Sequence, residues 1–196
     1  MIQDFLYYFL LIICLTVSFY NGRARQNYFW LYFLMVLFYE ILFHYRLIDV
    51  KIYATSPIIY SLFFINVYLK EFCNKKYWIR LLSNGIIIIL GIYLYPNEEA
   101  YSINLGIMMA FTFILCGLAW LFYEFQNSSQ IHIITKQFFW VTISLLLWAI
   151  FFLFRLVPMY LFEKTDDEFL GNLNKIFQFA TIISYIIFLK GLLCKI

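Results

Sequence analysis

Charge is what this 196-residue chain has least of: Asp, Glu, Lys and Arg make up only 13% of it, against 65% hydrophobic and 23% aromatic residues. A soluble domain needs about a quarter of its residues charged to wet its surface, so this chain cannot cover itself against water. A soluble enzyme, a nucleic-acid binder and a disordered linker are excluded together. Histidine is scarce as well, with only His44 and His132, and His132 falls between apolar stretches, so a haem held by facing histidines has no ligand pair. The 4 cysteines (Cys14, Cys73, Cys116, Cys194) show no CxxC or other paired spacing, which argues against a disulfide scaffold and a thiolate metal site. Glycine (7) and proline (3) form no GxxxG pair and no matched broken helices of the kind that mark a transporter midplane. Internal repeats and Gly/Ser linkers are lacking too, so residues 1–196 read as one unit with no soluble domain.

What is present is long apolar runs. A helix needs about 20 mostly apolar residues to cross a hydrocarbon core about 30 Å thick. Seven stretches qualify: Ile2–Tyr20, Tyr28–Tyr45, Ile52–Leu69, Tyr77–Tyr95, Tyr101–Phe125, Phe138–Phe162 and Phe169–Leu189. The third has Pro57 near its start and Asn66, Lys70 and Glu71 at its end, so six spans are the alternative. The runs are continuous (Ile86 to Leu90, Ile150 to Phe154) rather than alternating, which excludes a transmembrane β-barrel. The expected fold is an all-α polytopic bundle. Seven crossings consume about 140 residues at this length, so no loop has room for a domain.

Charge signs then give an orientation. With the N-terminus outside, the inner connections collect Arg23, Arg25, Lys70, Lys75, Lys76, Arg80, Lys136, Lys190 and Lys195, against Glu71 and Glu124. The outer side collects Asp4, Asp49, Glu98, Glu99, Glu163, Asp166, Asp167 and Glu168, with Arg46, Lys51, Lys164 and Lys175. Lys and Arg beside a span resist translocation, so the pattern predicts N-out and C-in. The first stretch carries Asp4 where a signal peptide has a basic region and offers no small-x-small cleavage site, so it is expected to remain as a helix. Tyr and Trp at stretch ends (Tyr20, Trp30, Tyr53, Trp78, Tyr95, Trp140) suit the headgroup layer.

Two charges remain inside spans. Glu40 lies about 18 Å along the second helix from Tyr28, with His44 one turn further on the same face, and Arg155 lies about 25 Å along the sixth from Phe138. All three fall in the outer half, and Lys175 and Gln178 enter the seventh helix from that side. A charge at membrane depth costs at least about 2.5–3.5 kcal/mol, so it is normally paired, turned inward, or set in a watery cavity. One reading is a Glu40–Arg155 salt bridge locking helices two and six. Another is an outer pocket in which Glu40, His44, Arg155, Lys175 and Gln178 hold a small polar or zwitterionic ligand. A proton relay is the third, although no ladder of carboxylates continues inward. Pro158 either kinks the sixth helix near Arg155 or marks its last turn.

Enzyme chemistry finds no footing: no nucleophile-base pair is present, no lysine lies mid-way along the last helix for a Schiff base, and Glu98-Glu99 lacks the arginine that intramembrane CAAX-type proteases place after it. No metal and no cofactor is expected.

Phe138-Phe139-Trp140, Phe151-Phe152-Leu153-Phe154, Asn174-Lys175-Ile176 and Leu189-Lys190-Gly191-Leu192-Leu193-Cys194 give the last third a pattern that resembles small stand-alone seven-helix membrane proteins of Bacteroidota. These are similar in layout to the seven-helix sensor regions of histidine kinases. The resemblance implies a multi-pass protein of the bacterial inner membrane with signalling architecture, and it carries over no functional residue. With the chain ending at Ile196, an output domain is expected on a separate polypeptide. Three functions follow as expectations: a receptor or regulator that engages a separate protein partner through Arg23, Arg25, Lys75, Lys76 and Arg80; a non-catalytic subunit of a larger membrane complex, structural or defensive; and a small solute transporter. A homo-oligomer is the alternative to a distinct protein partner.

Overall fold

The computed structural model describes residues 2–72, 77–95, 103–127, 132–162 and 167–194. Among them the chain is all-α: α1 (Ile2–Tyr20), α2 (Gly22–Gln26), α3 (Phe29–His44), α4 (Val50–Tyr53), α5 (Ser56–Phe72), α6 (Tyr77–Tyr93), α7 (Ile103–Gln126), a 3-10 turn (Ile133–Thr135), α8 (Gln137–Phe162) and α9 (Asp167–Leu193). Five segments are long and apolar enough to cross a membrane: Gln3–Tyr20, Val50–Glu71, Ile103–Gln126, Gln137–Leu156 and Glu168–Leu193. Phe29–His44 and Tyr77–Tyr93 are apolar but shorter, at 16 and 17 residues.

Local chemistry sets the boundaries. Asn21 accepts from the Arg23 amide at 3.0 Å through its Oδ1, which caps α2 and turns the chain from α1 toward α3. Pro57 sits in the first turn of α5, where a missing N–H costs nothing, so the proline that made the third stretch ambiguous instead opens its helix. Pro158 lies near the end of α8, which stays helical past it to Phe162.

Six helices close into a ring in which α1 packs on α3, α3 on α5, α5 on α7, α7 on α8, α8 on α9, and α9 back on α1. The core lies inside, built from rings such as Phe29, Phe33, Phe64, Phe138 and Phe188. Small residues allow close approach. A Cβ on Gly191 would stand 3.2 Å from the Gln137 carbonyl oxygen, and one on Gly117 would stand 3.1 Å from Thr142 Cγ2. Hydroxyls clip neighbours where no water is at hand: Ser144 Oγ donates to the Ser184 carbonyl at 2.8 Å, Ser184 Oγ to the Ser144 carbonyl at 2.9 Å, and Tyr68 meets Thr142 at 2.7 Å.

Outside the ring, α6 packs mainly on α5 and buries little beyond Ile87 and Gly91. Its polar attachment is reciprocal: Asn66 and Asn84 exchange hydrogen bonds of 2.9 and 3.1 Å. Removing one partner strands the other amide, so Asn66→Ala is expected to cost about 1 kcal/mol, near the usual size of a polar contact in a membrane bundle. The Asn66→Leu/Asn84→Leu pair should recover most of it. Reversible unfolding in mixed micelles reads both, and a double-variant loss equal to the sum of the two single-variant losses would show that the amides do not support each other.

Charged and polar contacts gather at one end of the bundle. Arg23 and Glu71 approach to 3.9 Å, Lys136 pairs with Glu124, Lys70 Nζ donates to the Gln26 carbonyl at 3.0 Å, and Lys190 sits 3.5 Å from the Trp140 ring centre. Asn27 Nδ2 donates to Gln137 Oε1 at 3.0 Å at this same end, where Asn21 also reaches the Cys194 carbonyl at 3.4 Å. The start of α1 and the end of α9 therefore lie at opposite ends of the bundle.

Candidate functional site

The ring encloses a cavity of about 400 Å³ that is lined from all six of its long helices and from Tyr53 of α4, and to which α6 contributes no described residue. Gln3 and Asp4 at the start of α1, Glu40 near the end of α3, Arg155 near the end of α8, and Gln178 on α9 form its polar mouth. From Gln178 to Phe188, both of which line it, the axis of α9 descends about 15 Å. The walls are aromatic, from Tyr7, Tyr32, Tyr60, Phe113, Trp148, Phe152, Phe177 and Tyr185, and the Ser144–Ser184 pair supplies polar atoms at depth.

Of the residues singled out from the sequence, Glu40, Arg155 and Gln178 come together on this cavity. His44 and Lys175 do not line it: both are exposed, and the His44 ring lies edge-on to Tyr8 with centroids 6.4 Å apart. Glu40 and His44 do follow one another by a turn, but the bundle closes over Glu40 alone. Asn104, Asn172 and Asn174 are exposed and off the cavity.

Among the described residues no ion pair joins Glu40 to Arg155. The Glu40 carboxylate instead accepts from Tyr53 Oη at 2.9 Å. The Arg155 guanidinium lies 5.1 Å from the centre of the Phe177 ring, a cation–π distance. The Glu40 carboxylate and the Arg155 guanidinium thus both have aromatic neighbours, and both residues line the same space. The hydroxyl of Tyr39 meets Thr55 at 3.0 Å, tying α3 to the start of α5 beside the mouth.

Sequence reasoning missed the tyrosines. Tyr53 reads as an interfacial anchor, and Tyr7, Tyr32, Tyr60 and Tyr185 carry no label in an apolar run. A phenol inside a span needs a hydrogen-bond partner, and that requirement is the signal that would have found them.

On the basic end, Arg23 is engaged by Glu71, Arg25 is exposed, and Arg80 borders a separate recess between α3, α5 and α6. Lys75 and Lys76 lie outside the described residues, as do Cys73, Glu98 and Glu99. Cys14 and Cys116 are separate thiols, and no cluster of three His, Cys, Asp or Glu occurs among the described residues.

An all-α bundle with several membrane-length apolar helices and lipid-compatible side chains on its outside, such as Ile89, Leu115 and Phe154, fits a helical membrane protein. Comparison with protein-family models, with curated proteins and with solved structures finds no match. The functional reading therefore rests on the geometry of the cavity.

Proposed function

We propose that the chain is a seven-span inner-membrane protein, N-terminus out and C-terminus in, that acts as a receptor or regulator by holding a small zwitterionic or polar amphiphilic ligand in this cavity. The observation that carries the reading is one cavity with Glu40 and Arg155 at its mouth and aromatic walls beneath. A few placed polar groups over an apolar lining is the usual composition of a small-molecule site, and about 400 Å³ lies within the usual range of such sites. A carboxylate and a guanidinium facing one space suit a ligand that carries both signs. In the N-out orientation the mouth opens outward, and the opposite, basic end faces a partner in the cell. Because Arg23, Lys70, Lys136 and Lys190 are engaged within the chain, Arg25 is the described base best placed for that contact.

The test uses Trp148, which lines the cavity. Protein in lipid nanodiscs is titrated with a panel of zwitterionic solutes and single-chain amphiphiles while tryptophan fluorescence and thermal stability are followed. A binder should change both. Glu40→Gln and Arg155→Leu should each weaken it about tenfold, the worth of one charged hydrogen bond, with expression and melting temperature retained. Loss of folding in both variants would assign the charges to the fold. A second reading, a subunit of a larger assembly, draws on α6, whose face carries Trp78, Leu82, Ile89 and Ile92 exposed outside the ring. A clean monomer from native membranes in mild detergent would end it.

A further inference from the structure

The basic end carries a second recess, of about 370 Å³, on the outside of the ring where α3, α5 and α6 meet. Because α5 packs against both of the others, it forms the floor of a groove that α3 lines on one side and that α6 borders through Arg80. Leu31, Ile59 and Phe63 line its apolar length, and Tyr28, Lys70 and Arg80 line its polar end. It shares no lining residue with the ligand cavity.

Length, charge and donor geometry select one occupant. From Ile59 to Lys70 the axis of α5 runs about 16 Å, close to one leaflet of a hydrocarbon core about 30 Å thick. The cations therefore stand where headgroups begin, and the apolar stretch runs to the bilayer middle. No acid lines the recess among the described residues, and Glu71, beside Lys70 in the chain, is turned to Arg23 at 3.9 Å. Lys70 spends one N–H on the Gln26 carbonyl at 3.0 Å and lies 5.5 Å from the Tyr28 ring centre, which leaves two donors. Arg80 lines the recess, and its Nε is buried with no hydrogen-bond partner among the described residues. A phosphate matches the planar fork of a guanidinium. Asn66 does not compete, since it is committed to Asn84.

We infer that this groove is a site for an anionic phospholipid of the inner leaflet, its phosphate held between Lys70 and Arg80 and one acyl chain lying along Leu31, Ile59 and Phe63. The inference rests on the membrane reading and not on the ligand cavity, so it stands or falls independently of the receptor role. Its consequence is positional. A lipid bound there fastens the peripheral helix α6, which otherwise holds to the bundle chiefly through α5.

Native mass spectrometry of the full chain released from mixed micelles measures it, with phosphatidylglycerol and phosphatidylcholine of matched chains as probes. The wild type should retain phosphatidylglycerol in preference, and Arg80→Gln and Lys70→Gln should each cut that retention about fivefold, the expected contribution of one cation near an anionic headgroup. Lys190→Gln, which removes a base at the same end but away from the groove, should leave retention unchanged. Equal retention of the two lipids by the wild type overturns the site whether or not any variant folds. An equal fall in Lys190→Gln overturns it as general surface attraction. Full displacement by millimolar inorganic phosphate overturns the acyl groove, since it would leave an anion site alone.

Discussion

Phe188→Ala is expected to destabilise the bundle by about 3–5 kcal/mol, the range for truncating a large aromatic in a packed core. Phe188 is 1% exposed and stands where α9 meets α3 and α5: its ring centre lies 5.0 Å from Phe33, 5.4 Å from Phe29, 6.0 Å from Tyr32 and 6.4 Å from Phe64. In lipid there is no hydrophobic force between helices, because the tails outside are as apolar as the side chains inside. What holds the ring is close packing, and a deleted phenyl forfeits its dispersion contacts without refund from water. The same truncation deepens the ligand cavity, whose floor Phe188 forms. Reversible unfolding in mixed micelles gives the loss. Leu115→Ala is the control: that side chain is 66% exposed, and its removal should cost under about 0.5 kcal/mol. A loss at Phe188 no larger than at Leu115 would mean that the aromatic cluster does not close the ring.

The contrast between those two residues marks what the sequence could and could not tell. Helix positions were legible because a 20-residue apolar run is a strong one-dimensional signal: the expected Phe138–Phe162 is α8 to within one residue, and Tyr77–Tyr95 contains α6. The short helix α4 and the start of α5 at Ser56 were not, since Ile52–Leu69 reads as one run and only backbone geometry separates Tyr53 from Ser56. Rotational phase was illegible throughout. A helix apolar all round buries Phe188 and exposes Leu115 without any periodic sign, because lipid and core accept the same side chains. Glu40, Arg155 and Gln178 could be placed on one cavity because polar groups at membrane depth have few other places to be. His44 and Lys175 shared that logic and failed it, since each stands near a helix end where headgroups and water accept it on the outside.

Phase also explains the paired amides and serines. The Asn66–Asn84 and Ser144–Ser184 pairs both bridge helices. A hydroxyl can satisfy itself on its own helix, as Ser61 does by donating to the Pro57 carbonyl at 2.7 Å. The residue type alone therefore does not say which hydroxyls cross.

Gly106→Leu is expected to cost about 3 kcal/mol and to abolish the fluorescence response of Trp148 to a bound ligand. A Cβ built on Gly106 would stand 2.5 Å from Phe152 Cζ, closer than carbon atoms approach, and a tight 3.2 Å from Cε1. Phe152 cannot swing freely away. It stacks on Trp148 with ring centres 5.0 Å apart and planes 11° apart, and it lies 5.9 Å from Phe177, whose ring carries the Arg155 guanidinium at 5.1 Å. All four residues line the cavity, so a side chain added on α7 is transmitted through Phe152 into the binding space. Gly106→Ala should show the same two effects at about 1 kcal/mol, and adding Phe152→Leu to Gly106→Leu should restore part of the stability by freeing ring volume. Gly85→Ala separates this from helix propensity, since nothing lies within 4 Å of a Cβ there and the change should be neutral or slightly stabilising. Equal behaviour of the Gly106 and Gly85 alanine variants would show that Phe152 yields without strain. The wall between α7 and α8 would then be compliant, and the aromatic lining could not hold a ligand in one pose.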